Sequence, residues 1–414
     1  MIGRFSPLLG VTAILVLIAS TPAQSSLELV GFGMGLTSPN VQSQGLGGMM
    51  TIPAGQGEWL YSSTASWHRI RSTQLHASIE ASRSNLGDLG SFARVVPQNF
   101  HFLVHVNRRL SYGIGIEPVS RVDMAIHDSS GTFYGLPEDT LHYAQFRSIS
   151  GGLSAFNIGF SRLIRPSLSI GVAVNILFGS LSQNDTLYFL DLDRGDIFPA
   201  LRAARRLEFN GQTINLSVLA DIPPGSRGQL GTQLVLPISL GAKEFRTFSG
   251  LAVLDPVNHR NIGSPASLTV GYGTQITDLQ RIIGEVGWSK LWRDEQRDML
   301  FGRYLEARRS MRLGWSRVPK GDESLVIGRI FYRMGFHRID YYLSNLKNDP
   351  LTEFGFALGL GFRSPAFGHR VDLSIQIGQR ESSLADVQAE RFYRLSIGVT
   401  TAELWFVRPK KRWD

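Results

Sequence analysis

Nine histidines, 34 acidic residues and no cysteine are the material from which this chain could build a reactive centre. His101 and His105 share one face of a predicted strand, but four residues along a strand hold their Cα atoms about 13 Å apart, too far for one metal ion. Alternation makes them polar residues of an inner wall instead. Asp191, Asp193 and Asp196 have the spacing of a calcium loop without the bidentate Glu that would close it, which leaves a solvated loop. The run Gly31-Phe32-Gly33-Met34-Gly35 has the glycines of a phosphate loop, yet it follows no predicted strand, opens no helix and precedes no P-loop Lys. There is no GxSxG elbow and no Ser and His brought together by pattern. Without cysteine the chain has no thiol nucleophile, thiolate metal site or disulfide. The chain reads as a protein that is not an enzyme and needs neither metal nor cofactor.

What the chain does carry is alternation. Phe354, Phe356, Leu358, Leu360 and Phe362 are separated by Gly355, Ala357, Gly359 and Gly361, and Val371, Leu373, Ile375 and Ile377 by Asp372, Ser374 and Gln376. Side chains on a strand point alternately to opposite faces, so each run has one apolar and one small or polar face. About nine to eleven tilted residues of this kind cross a bilayer, and a cylinder of such strands is a transmembrane barrel. The 44 glycines and 10% aromatic residues suit closely paired strands and interfacial girdles, and 18% charged residues is low for a soluble chain. The net charge of +8 comes from scattered basic residues and a terminal Arg408, Lys410, Lys411, Arg412 group without interleaved aromatics, so nucleic acid is not a partner.

Residues 1–23 read as a cleaved export signal: Arg4, an apolar stretch from Leu8 to Ala19, and small residues at Thr21 and Ala23 before Gln24. Residues 24–57 lack alternation and are rich in Gly, Ser and Gln. Irregular backbone of that kind cannot face lipid but can fill a lumen, so this segment reads as a hatch or plug, with a periplasmic tail as the other reading. Residues 58–414 then form an outer-membrane barrel. Candidate strands fall near 58–68, 72–82, 99–107, 110–118, 145–162, 166–178, 212–221, 230–241, 265–276, 281–292, 308–318, 325–337, 352–363, 368–379 and 391–400. Their connections alternate short and long, with long loops at 119–144, 179–211 and 242–264, as in an up-and-down antiparallel barrel with short periplasmic turns. Bacterial single-chain barrels have even strand numbers. The expectation is fourteen strands, with sixteen as the fallback and 58–68 either joined to the next strand or part of the plug. Within the 179–211 loop, Phe198, Leu201 and Leu207 opposite Arg202, Arg205 and Arg206 fit a short amphipathic helix, an external cap or lipopolysaccharide contact, with a merely packed loop as the equal alternative.

Several stretches resemble the FadL/OmpP1/TodX class of outer-membrane transport proteins, particularly its Bacteroidetes branch. Leu46-Gly47-Gly48-Met49 is similar to that family's GMGGA and Ile52-Pro53-Ala54-Gly55 to its NPAG, with Leu46, Met49 and Ile52 departing from the pattern. RPSLSIGVAVNILFGSLS at 165–182, the run at 332–363, IGQR at 377–380 and the terminal LWFVRPKKRWD are the nearest matches. The resemblance implies a plugged fourteen-stranded barrel, monomeric, in the outer membrane of a Gram-negative bacterium among lipid and lipopolysaccharide, passing hydrophobic small molecules such as long-chain fatty acids or aromatic hydrocarbons. Phe32, Met34, Leu36, Met49, Met50 and Pro53 are the candidate substrate-binding or hatch residues, because Met and Phe fill adaptable apolar sites; plain plug packing is the alternative. A structural or protein-partner barrel, such as a surface-protein secretion accessory, and a general porin compete. An apolar lining beneath the loops would favour uptake, a solid polar plug a partner barrel, and an open charged channel a porin.

Overall fold

The computed structural model describes residues 34–35, 40–55, 58–85, 91–134, 140–191, 196–197, 200–222, 227–248, 251–252, 258–261, 265–291, 308–319, 330–344, 350–363, 369–381 and 389–403. The export signal, Phe32, Leu36 and the terminal basic group lie outside them. Fourteen long antiparallel strands form one closed sheet: β1 (Thr73–Asn85), β2 (Ser91–Asn107), β3 (Leu110–Tyr134), β4 (Thr140–Arg165), β5 (Leu168–Asp191), β6 (Leu201–Asp221), β7 (Gly228–Phe248), β8 (Pro265–Gln275), β9 (Gln280–Leu291), β10 (Arg308–Arg317), β11 (Ile330–Ser344), β12 (Pro350–Arg363), β13 (Arg370–Glu381) and β14 (Glu390–Glu403). Neighbours in sequence are neighbours in the wall, and β14 pairs back onto β1 from Glu403↔Thr73 to Arg391↔Asn85. Closure leaves no strand of the sheet without a neighbour on each side, the condition for a sheet in hydrocarbon, and only the upper β2–β3 seam interrupts it.

The alternation does what the sequence demands. Phe356, Leu358, Leu360 and Phe362 of β12 are exposed on the outside while Gly355, Ala357, Gly359 and Gly361 are buried on the inside. The same division runs through β13, where Ile375 and Ile377 face out and Asp372, Ser374 and Gln376 face in.

The wall is lopsided. β3 to β7 run for 21 to 26 residues and β8 to β14 for 10 to 15, so one side stands far beyond the roughly ten residues a crossing needs. The stretches expected as loops at 119–144, 179–211 and 242–264 are therefore largely ladder. Phe198 lies outside the described residues, and from Leu201 on the expected short helix is replaced by the start of β6, which pairs with β5 from Leu201↔Leu187 downward; cross-strand hydrogen bonds outweigh a weak helical pattern. The strand expected at 58–68 is also absent: Thr64–Arg69 is a 3₁₀ helix with Thr64, Ala65, Ser66 and Trp67 buried.

Away from the short turns, single-residue bulges interrupt the ladder at Gln98 in β2, Val119 in β3 and Ile238 in β7. Each reverses the parity of its strand. At the first two the wall also parts. The β2–β3 ladder ends at Phe100↔Ile116, and beyond it β2 keeps only β1, while β3 keeps β4 and a two-residue bridge to Met34–Gly35. Pro97 and Pro118 flank the parting; neither has an N–H to continue a ladder.

Candidate functional site

The interior is occupied by the chain's own residues from Asn40 to Ile70. Asn40 caps the single-turn helix α1 (Val41–Gln44), its Oδ1 accepting from the Gln42 N–H at 2.8 Å. Gly47 and Gly48, at φ +75° and +86°, turn the backbone where a side chain would be strained. The turn then lies so close to the wall that a Cβ on Gly335 of β11 would collide with the Leu46 carbonyl. A Cβ on Gly171 of β5 would likewise strike the backbone of Thr64 and Ala65. Small inward residues are thus required by the fit of plug to wall.

The bonds between them are polar and come from all sides. Gln42 donates to Asp372 of β13 at 3.2 Å, and the Gln44 carbonyl accepts from Gln376 at 2.9 Å. The N–H groups of Met50 and Thr51 and the Thr51 hydroxyl all donate to Glu285 Oε2 of β9 at 2.8 Å, while Arg312 of β10 donates to Oε1 at 2.8 Å. Arg281 Nη1 donates to the Pro53 carbonyl at 2.9 Å and Ser316 Oγ to that of Ala54 at 2.7 Å. Glu58 is clamped by Arg333 and Arg370, at 3.0 and 2.8 Å, and both arginines also hold Asp372. Opposite, Ala65 donates to Ser217 of β6, His68 to Ser161 of β4, and Asn215 and Gln233 donate to the Ser62 carbonyl. Glu58, Glu285 and Asp372 each find an arginine, and Arg281 finds the Pro53 carbonyl and Gln229; charges this deeply enclosed need such partners.

Burial sets the titration of the plug's own groups. It pushes the Tyr61 hydroxyl well above its ordinary range, with the nearby Glu117 carboxylate adding to the effect. It lowers His68, whose Nδ1–H donates to the Ala65 carbonyl at 2.7 Å. Burial beside Arg281 brings Arg69 down to about 10.

The residues singled out from sequence meet only in part. Met49 is fully buried in an apolar knot with Leu46, Ile52, Ala54, Ala65, Leu219 and Ile283. Met50 is half-buried beside it, its carbonyl accepting from Ser62, and Pro53 contributes its carbonyl to Arg281. Met34 is distant in role, bridging to Arg121 of β3. His101 faces inward as expected, stacked on Tyr61. Missed were the wall charges Glu285, Arg312, Arg333 and Asp372, which bind the plug or one another, and Glu353, which gathers His337, Tyr341, Arg380 and Arg394 of the wall. Their signal was present: each is a charged residue at an inward position of an otherwise apolar alternation. A second apolar cluster lines the inner face of β3 to β7 on both sides of the bulges, including Val122, Leu153, Leu181, Phe209 and Leu240.

Fold and lumen together define a fourteen-stranded barrel of the outer-membrane type, with residues 40–55 and 58–70 of its own chain bonded to the inner wall. The chain belongs to the BamG family, whose sequence model matches residues 1–412. Comparison with curated protein sequences gives no match. Among solved structures it is similar to a Pseudomonas aeruginosa FadL homologue, with TM-score 0.62 and 13% identity over 89% of this chain and 99% of that one. It is also similar to the Pseudomonas putida toluene transporter TodX, at 0.54 and 14% over 91% and 100%, and to the Ralstonia pickettii toluene transporter TbuX, at 0.53 and 13% over 91% and 99%. The fold is therefore that of the FadL-type barrels.

Proposed function

We propose that this is a closed outer-membrane barrel of a Gram-negative cell, exported by its N-terminal signal, that works through protein partners, as a structural or surface-protein secretion accessory. The observation that carries this reading is the solid polar plug, tied by buried ion pairs and hydrogen bonds to strands all round the wall. A solute passing through the centre would have to break several desolvated charge contacts, each costing on the order of a few kcal/mol when one partner is lost. The tall β3–β7 side supplies a surface above lipid and lipopolysaccharide for a partner to meet.

A second reading, passive uptake of hydrophobic compounds such as long-chain fatty acids or aromatic hydrocarbons, is favoured by the inner apolar cluster on β3 to β7 and by the toluene transporters that share the fold. On that reading Phe32, Met34, Leu36, Met49, Met50 and Pro53 are hatch or substrate residues. Uptake of labelled long-chain fatty acids and alkylbenzenes by a strain lacking the gene, with and without the gene restored, separates the two. Equal uptake in both strains supports the partner barrel. Uptake that returns only with the gene overturns it in favour of the channel.

A further inference from the structure

Where β2 and β3 part, the inner side of the opening is lined by polar groups that have not found partners. Beyond the last ladder pair, Phe100↔Ile116, the next residue on each strand is Asn99 and Glu117. Gln98, 1% exposed in the bulge, has neither amide atom bonded, and Asn99, 6% exposed, has neither either. The hydroxyl of Ser120, also buried, is unbonded. Glu117 uses one carboxylate oxygen, accepting from Asn157 Nδ2 at 3.3 Å, and leaves Oε2 buried and unbonded. No Arg, Lys or His forms an ion pair with it among the described residues. Asn157 Oδ1 is unbonded as well. The floor is Gly115, paired with His101; a Cβ there would collide with His101 Nδ1 and lie 2.7 Å from the Tyr61 hydroxyl. A buried polar group without a partner costs about 1–3 kcal/mol, more if it is charged. So many in one place is a site lacking its occupant.

The unmet groups say what the occupant is. On one side stand acceptors: Glu117 Oε2, Asn157 Oδ1 and the amide oxygens of Gln98 and Asn99. A primary ammonium has three donors and no acceptor, and it supplies the positive charge that Glu117 lacks. On the other side stand donors, the amide nitrogens of Gln98 and Asn99 and the Ser120 hydroxyl, which call for an oxygen close to that ammonium. We propose that the β2–β3 seam is a binding site for a hydroxyalkylammonium cation of the ethanolamine type, its ammonium seated on Glu117. β3 leaves the short-turn side at Leu110, so Glu117 to Ser120 lie seven to ten residues on. That is close to the roughly nine to eleven needed to cross, which places the seam at the far membrane interface. There the cation reaches the site either as a lipid headgroup, sideways through the parting, or as a free amine from above. The site is independent of the partner-barrel reading, since it uses neither the plug contacts nor the tall outer surface.

The test uses the full mature barrel in nanodiscs made without ethanolamine lipids. Binding of ethanolamine, ethylene glycol and choline is followed by the fluorescence of Trp67, which packs on Tyr61 at 5.8 Å, and by calorimetry. Expected are saturable ethanolamine binding, at least about tenfold weaker choline binding because its nitrogen has no N–H, and no ethylene glycol binding at the same concentrations. Glu117→Gln, shown folded by its heat-modifiable migration, is expected to weaken ethanolamine at least about tenfold, the scale of one charge-assisted hydrogen bond. Should that variant fail to fold, Asn99→Leu, which keeps the carboxylate, is expected to weaken it severalfold. In nanodiscs carrying phosphatidylethanolamine, loss of free ethanolamine binding together with retention of that lipid over phosphatidylcholine in native mass spectrometry identifies the headgroup as the source; unchanged binding identifies the free amine. Equal binding of ethanolamine and ethylene glycol, unchanged binding in both variants, or no saturable binding of any probe overturns the assignment.

Discussion

Replacing Glu285 by Ala tests whether the plug is held by a few buried polar contacts or merely confined. Glu285 Oε2 accepts three hydrogen bonds from Met50 and Thr51 at 2.8 Å, and Oε1 takes the Arg312 guanidinium at 2.8 Å. The side chains of the pair are 0% and 2% exposed. Glu285→Ala leaves Arg312 enclosed without its counter-charge, a loss of about 3–5 kcal/mol in comparable buried pairs. It also strips two plug N–H groups of their acceptor, at about 1–3 kcal/mol each where no water replaces it. These terms share partners and do not add fully, so about 4 kcal/mol is a fair minimum. The barrel ladder is untouched, and the loss falls on the equilibrium between seated and released plug. At about 1.4 kcal/mol per decade, the released fraction rises roughly a thousandfold. Proteolysis of folded barrels in detergent, under conditions where cleavage is slower than reseating, reads that fraction directly. Heat-modifiable migration confirms that the wall is intact. Glu285→Gln keeps an acceptor for Met50 and Thr51 and is expected to lie between, near about 2 kcal/mol for the lost charge assistance. Plug cleavage in Glu285→Ala within about threefold of the parent would refute the reasoning, since it bounds the contribution below 1 kcal/mol.

Other perturbations separate plug from wall. Gly335→Val drives its Cβ into the Leu46 carbonyl and should release the plug from a folded barrel, whereas Gly284→Ala, with open space around it, should change neither proteolysis nor migration. Leu358→Arg puts a charge on the lipid face at a position 47% exposed, and should cost about 2–4 kcal/mol near the midplane, seen as a lower folded fraction on refolding into liposomes. His68 is lowered by burial from its ordinary 6.5, so its contribution is fully present above that value. It falls as the pH drops through the window between 6.5 and the lower bound-state value, because only the released plug takes up a proton there. Plug cleavage should therefore rise with acidification, and His68→Gln should flatten that slope.

Much of the wall was legible because lipid writes a period of two into any strand it touches. Phe354 to Phe362 and Val371 to Ile377 are strands whose register could be read one residue at a time, and the even-number rule made fourteen strands the expectation. Beyond the membrane that pressure vanishes. The upper parts of β3 to β7 face water outside, their alternation fades, and they read as loops although the ladder continues. The bulges at Gln98, Val119 and Ile238 add an extra residue that no single-residue pattern announces, so parity read from below is reversed above them. The plug was legible only as irregular chain. Its extent through Thr64–Arg69 depends on long-range bonds, such as Ala65 to Ser217 and His68 to Ser161, which no local signal carries.

The two polar features of the interior bear on one question, what an apolar solute would meet. In the centre it would meet Glu58 between Arg333 and Arg370, and Glu285 against Arg312, groups whose contacts it cannot replace. At the parting of β2 and β3 it would meet the unbonded amides of Gln98 and Asn99 and the unbonded Oε2 of Glu117, equally unable to gain from hydrocarbon. The inner apolar cluster on β3 to β7 runs to both sides of the bulges, yet its members, such as Val122 at 1% and Leu240 at 3% exposure, are already packed. A route for hydrocarbon needs a continuous apolar lining from entry to exit, and the plug and the seam both carry buried polar groups. The same chemistry that makes them a poor lining, fixed charge and unsatisfied amides in a dry wall, makes the seam a selective seat for a small cation and the centre a rigid strut. On the partner-barrel reading proposed above, the FadL-type fold would serve as a frame, with its interior spent on holding shape.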